Sequence, residues 1–315
     1  MLRKSTQILA AGLLLLSAMA LEAVQPETGL DLITGWKRGE IKTSLNAQDP
    51  EGETFGYFPL KVKNIDIWQV GIQGRYAIPN YFENCNCETA WLTQFYLRGY
   101  AYWGRVFDGK YRDRAEIIGG DNSSNHAKVK KGHTRDLDIA LGWLYPWCDN
   151  LGFGPVVGYN YQKIKTKNGK LTDQDGNEVS GGDRIRIVSR FKGPYVGIDF
   201  VYDLCDFRFN FGYEYHMPNW SGKFGLPVYD NDDAFSDKRT AKRGHGNVGY
   251  LDTRYHFCGC WEVGLGLRYE AYRSGSGVAS PLCCEACSEI PDTEFDKIRT
   301  KWRAFSINLE LALTY

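Results

Sequence analysis

Apolar and polar residues alternate one by one along most of this chain. A period of two is the signature of strands with one buried and one solvated face. The clearest stretch is Phe207, Phe209, Phe211, Tyr213 and Tyr215, interleaved with Arg208, Asn210, Gly212, Glu214 and His216. The same pattern sets Trp68, Val70, Ile72 and Tyr76 against Gln69, Gly71, Gln73 and Arg75. It sets Leu137, Ile139, Leu141 and Trp143 against Asp136, Asp138, Ala140 and Gly142. It returns in Trp261, Val263, Leu265, Leu267 and Tyr269 against Glu262, Gly264, Gly266, Arg268 and Glu270.

Composition narrows the class. The 315 residues carry 38 Lys+Arg and 38 Asp+Glu, so there is no basic excess to neutralise phosphates and no nucleic-acid partner is expected. Mean hydropathy is −0.41, and after the first residues nothing approaches the ~20-residue apolar run of a membrane helix. With 20 Tyr, 35 Gly and 3 Met, the chain suits many strands rather than a helical core.

The N-terminus reads as an export signal. Basic Arg3 and Lys4 precede an apolar stretch from Ile8 to Leu21, followed by small residues at Ala18, Ala20 and Ala23. The stretch is short for a transmembrane anchor, and no Cys near the cleavage site indicates a lipid anchor. Residues 1–23 are expected to be removed, leaving 24–315 as one domain.

Ten strands are expected, near 30–44, 62–78, 90–104, 134–146, 151–164, 191–204, 206–216, 247–257, 261–273 and 302–315. Long polar connections are expected near 45–61, 105–133, 165–190, 217–246 and 274–301, and short ones between them. Long loops on one side and tight turns on the other are the plan of an all-β, antiparallel, up-and-down transmembrane barrel in a bacterial outer membrane. A soluble sandwich also alternates, but here the apolar faces end in aromatics. Trp143, Tyr202, Phe257, Trp261 and Tyr315 fall at the periplasmic rim, and Trp103, Tyr161, Tyr215 and Tyr269 at the outer one. The opposite face carries glycines and charges that would poison a sandwich core. The chain closes on Phe305, Ile307, Leu309, Leu311, Leu313 and Tyr315, similar to the terminal signal of bacterial outer-membrane barrels.

Nine cysteines fall outside the expected spans. Cys85, Cys87, Cys148, Cys205, Cys258 and Cys260 lie in periplasmic turns, and Cys283, Cys284 and Cys287 in the last outer loop. An exported chain sits where disulfides form. Turns spread round a rim hold many thiols too far apart to pair, since a disulfide needs Cα atoms within ~7 Å. Bonds to other envelope proteins or to further copies are therefore expected, beside the plainer alternative of a few bonds within the chain. Zinc is a weak reading without a second paired motif, and no metal or cofactor is expected.

On these turns and the ending Leu309-Glu310-Leu311-Ala312-Leu313-Thr314-Tyr315, the chain resembles bacterial outer-membrane porins. More narrowly it resembles the cysteine-rich porin-like proteins of chlamydiae and their amoeba-associated relatives. That resemblance implies a channel that also serves as a cross-linked structural protein. The expected partners are outer-membrane lipid, ions and small hydrophilic solutes.

The inward face is expected to carry Arg75, Arg98, Asp136, Asp138, Asp199, Arg208, Glu214, Arg254 and Arg268. Such charges can line a narrow aqueous passage, or pair and fill it. No enzymatic activity is expected. One alternative is kept: omptin-type proteases use an Asp pair facing an Asp–His pair, and Asp136/Asp138 with Glu214/His216 resemble that arrangement, with Glu214 where Asp would stand. Outer loops such as 217–246 could also adhere to host surfaces. The sequons at Asn122 and Asn219 read as fortuitous.

Overall fold

The computed structural model describes residues 26–48, 54–78, 94–118, 122–148, 150–183, 185–225, 236–280 and 294–314. The expected export signal, Cys85, Cys87, Cys283, Cys284, Cys287 and Tyr315 lie outside the described residues. The strand segments are β1 (Gly29–Gln48), β2 (Thr54–Ala77), β3 (Phe95–Ile117), β4 (Ser123–Trp143), β5 (Tyr145–Cys148) and β6 (Leu151–Asn168). They continue as β7 (Lys170–Thr172), β8 (Glu178–Asp183), β9 (Arg186–Leu204), β10 (Phe207–His216) and β11 (Asn219–Gly225). The last are β12 (Ser236–Ala241), β13 (His245–Cys258), β14 (Trp261–Arg273), β15 (Gly277–Ser280) and β16 (Glu294–Thr314).

Neighbouring segments pair antiparallel in sequence order, and β16 closes the ring by pairing with both β14 and β1. Counted round the wall, β4 with β5, β10 with β11, β12 with β13 and β14 with β15 are each one stave interrupted by a short break, and β7 with β8 forms an outer hairpin. The result is an all-β barrel of about ten staves. Closure leaves no edge strand, which lipid would not tolerate.

The wall has two storeys. In the lower one, apolar side chains face out. Leu30, Leu32, Val70, Ile139, Val157, Leu265 and Leu309 are exposed, with Trp68, Trp103, Tyr215 and Tyr269 at the upper boundary of this belt. This belt is the membrane-facing surface, and its ring of aromatics marks the headgroup boundary. Above it the pattern inverts. Ile41, Val62, Ile65, Ile67, Val106, Val129, Ile164, Phe191, Trp220 and Trp302 point inward and form one buried cluster, while Lys and Arg face out.

The staves climb higher than expected from sequence. Residues 105–117, 123–133 and 54–61, read there as loop, are paired strand. Register shifts explain the difference. They fall between Lys63 and Asp66 on β2 and between Val129 and Lys131 on β4, with Asn64 in the left-handed region at φ 50°. An extra residue at a bulge swaps which parity faces inward. An alternation followed at fixed phase therefore dissolves at that height, although pairing continues.

At the lower end, tight turns join β9 to β10 and β13 to β14. Cys205 (φ 53°) and Gly259 (φ 53°) supply the left-handed residue that a short hairpin turn needs. The C-terminal strand returns there, with the Thr314 N–H donating to the Cys260 carbonyl at 2.9 Å.

Candidate functional site in the barrel lumen

Alternation on the lower staves sends one charged or polar side chain inward at nearly every second residue. Nearby partners absorb them in three levels. At the periplasmic mouth Arg208 pairs with Asp203 at 2.6 Å and with Glu27. Arg254 pairs with Asp31 at 2.5 Å and lies 3.6 Å from Glu310 and 3.9 Å from Glu262. Arg75 donates to Asn210 at 2.9 Å.

In the middle level Tyr96 and Tyr250 both donate to Asp199 at 2.5 Å. Arg98 donates to Tyr250 at 2.9 Å and to Glu214 at 2.5 Å, with its guanidinium over the Tyr250 ring. Arg268 reaches Tyr100 at 2.9 Å and Glu214 at 3.4 Å. The cavity between Arg98, Arg268, Asp138 and Tyr250 measures about 30 Å³, room for about one water.

In the upper level Lys37 bridges Glu270 and Asp136, the latter at 3.5 Å. Asp136 also accepts from Asn160 at 3.0 Å and Gln162 at 3.2 Å. The two pairs named from sequence stand on different walls, Asp136/Asp138 on β4 and Glu214/His216 on β10. His216 Nε2 and Glu214 lie 2.8 Å apart. No open cleft separates the pairs, because Tyr195 occupies the space: its hydroxyl donates to Asp138 at 2.8 Å and its ring stacks on His216 at 4.5 Å. Tyr272 packs edge-on to His216, and the apolar cluster closes above. His216 and Glu214 are 2% and 1% exposed.

All nine inward residues named from sequence are on the inner wall. Lys37, Asp31, Glu310 and the tyrosines Tyr96, Tyr195 and Tyr250 are equally embedded and were missed. Their signal was available: Ser306, Asn308 and Glu310 alternate between the apolar residues of the last strand, which was read for its lipid face alone. Among the cysteines, Cys148, Cys205 and Cys260 are exposed free thiols at the lower end. No cluster of metal-ligating side chains occurs among the described residues.

A closed, lipid-faced ring with a polar inner wall defines an outer-membrane β-barrel protein. A family model places the chain more narrowly: residues 31–315 match "Pom: Protochlamydia outer membrane protein", and the chain belongs to that family. No curated protein matches it significantly by sequence. Among solved structures, the outer membrane protease OmpT from Escherichia coli is similar over 94% of this chain and 99% of its own, with a TM-score of 0.68 and 13% identity. A Pseudomonas aeruginosa FadL homologue (TM-score 0.32, 12% identity, 90% of each chain) and the translocator domain of the autotransporter NalP from Neisseria meningitidis (TM-score 0.34, 10% identity, 99% of this chain and 98% of that one) are more remote.

The OmpT likeness corrects one expectation. Sequence reading assigned the chain no enzymatic activity, yet a solved structure of the same fold is a protease. At that identity the likeness establishes the fold alone, so activity has to be argued from the site.

Proposed function

We propose that this protein is an envelope-strengthening barrel: a rigid, filled outer-membrane cylinder joined to neighbours through thiols on its periplasmic turns. The observation that carries this reading is the continuity of the packing. Charged and hydrogen-bonded side chains meet across the membrane storey, and an apolar core packs in the storey above it. Several of these charges are shared between partners, as Arg254 is among Asp31, Glu310 and Glu262, and such a connected network stiffens the wall. Cys148, Cys205 and Cys260, exposed on the lower rim, are the linking groups; Cys85, Cys87 and Cys258, which sequence alternation assigns to periplasmic turns, are further candidates.

The competing reading is the porin-like passage for ions and small solutes. The polar inner wall supports it, and it requires Arg98, Glu214 and Arg268 to separate. Refolding the full chain, confirming it by heat-dependent gel migration and recording in a planar bilayer decides between them. The filled barrel yields no discrete conductance steps; reproducible steps overturn it in favour of the channel. For cross-linking, non-reducing gels of the native envelope should show reductant-sensitive species above the monomer. These species should be lost in a Cys148→Ser/Cys205→Ser/Cys260→Ser variant. Monomer alone without reductant sinks that half of the proposal.

A protease reading has one specific observation behind it, the 2.8 Å Glu214–His216 contact joined through Tyr195 to Asp138. Peptide cleavage abolished by both Asp138→Ala and His216→Ala would establish it. Water would have to enter where Tyr195 and Tyr272 now stand.

A further inference from the structure

Directly above the apolar belt, the outward faces of β4, β6 and β9 carry cations on adjacent positions. Arg135, Lys163 and Arg190 are mutual partners across the three strands. The next outward position pairs His133 with Lys165, and the one above pairs Lys167 with Arg186. At strand spacings of about 4.8 Å and outward repeats of roughly 6.8 Å, these six cations and His133, whose pKa partial burial and the neighbouring cations lower, share a patch roughly 10 by 14 Å. None has an acidic partner among the described residues. The cations on β1 and β2 differ: Arg38 pairs with Asp66, and Lys42 and Lys61 share Glu40. Arg190 Nε is buried without a hydrogen-bond partner. Lys163 and Lys165 sit below the ordinary lysine range, first through partial burial and then through repulsion from neighbouring cations. Uncompensated like charges at this density oppose the fold unless something anionic sits on them.

Location selects the anion. Leu137 and Ile139 on β4, Val157 and Tyr159 on β6 and Val196 on β9 continue the same three-strand face downward as exposed, lipid-facing side chains. A ligand on the patch thus has its polar part at the headgroup level and its apolar part against the belt. We propose that the β4–β6–β9 face is a docking site for a phosphorylated glycolipid of the outer leaflet. Its phosphates lie on Lys163, Lys165, Arg186 and Arg190, and its acyl chains lie along Val157 and Ile139. Arginine favours such phosphates because its fork donates two parallel hydrogen bonds. The assignment holds whether or not the lumen conducts.

The test uses the full chain refolded in neutral detergent, with folding confirmed by heat-dependent gel migration. Native mass spectrometry and titration measure binding of diphosphoryl lipid A and of its dephosphorylated form. The diphosphoryl form is expected to bind, more weakly as salt rises. Each surface cation removed costs about fivefold, so Lys163→Ala/Lys165→Ala/Arg190→Ala should bind about a hundredfold more weakly. Lys42→Ala/Lys61→Ala should bind like the parent, and Lys163→Arg/Lys165→Arg should retain affinity. If the triple variant does not fold, Lys165→Gln alone carries the test, with about fivefold expected. Equal binding of the dephosphorylated lipid, or unchanged binding by the alanine variants, overturns the proposal. So does displacement by millimolar inorganic phosphate, which would mean a free-anion site, or a preference for heparin, which would mean a soluble polyanion.

Discussion

At the scale of single residues, the interior depends on buried cations shared between acids. Lys37 is the cation between Glu270 and Asp136, and both carboxylates are buried. Lys37→Met should therefore cost about 3–5 kcal/mol, read as a lower urea midpoint in detergent, because it strands two acids. Lys37→Met/Glu270→Gln should recover part of the loss. Cys205 holds a left-handed backbone at φ 53°, which a residue with a Cβ adopts at a cost of about 1–2 kcal/mol. Cys205→Gly should raise the midpoint by about that much while removing the thiol from cross-linking. Outside the membrane, Asp173 caps the turn between β7 and β8. The Asn177 and Asp175 N–H groups donate to its carboxylate at 2.8 and 2.9 Å. These bonds, that from Asn177 foremost, hold its pKa below the ordinary 3.8. A lowered carboxylate stabilises above its unfolded pKa and loses that contribution as pH falls through the folded one. Protection of the Asp175 and Asn177 amides from exchange, relative to the intrinsic rate at each pH, should thus fall only below pH 3.8. In Asp173→Ala that protection should be low at every pH.

At the scale of elements, the lower staves were legible and the upper ones were not. A strand with lipid on one face and paired charge on the other writes its period plainly, as β10 does from Phe207 to His216. On β2 and β4 the bulges shift the phase, and above them both faces mix Lys, Gly and Thr with single aliphatics. Length and pairing there follow from the adjacent staves, and the inward turn of Val62 and Val129 from the apolar cluster they join. Close packing at this height is testable. A Cβ on Gly39 would sit 2.1 Å from the Trp302 ring, and that ring is fully buried. Gly39→Ala should lower stability by about 1–3 kcal/mol. Trp302→Ala alone should cost about 3–5 kcal/mol, and the double variant less than the sum of the two, since the cavity removes the clash.

At the scale of the whole molecule, the two storeys solve different solvent problems with one wall. In the bilayer the outside must be apolar, so the inside takes the charges and pairs them; in water the outside takes the charges and the inside becomes an ordinary apolar core. Truncating the upper core by Trp220→Ala and Trp302→Ala should lower the thermal midpoint without abolishing insertion, checked by vesicle flotation. A barrel that no longer floats would show that the upper core is needed for assembly. Sequence alone determined the fold class and the alternation of outward and inward side chains on the lower staves, because both are written in local periodicity. It did not determine which charges meet across the ring. Arg98 on β3 finds Glu214 on β10, and Tyr195 on β9 fills the space between Asp138 and His216. Those meetings are set by closure and shear of the barrel, through residues more than a hundred positions apart in the first case, and only the tertiary structure brings them together.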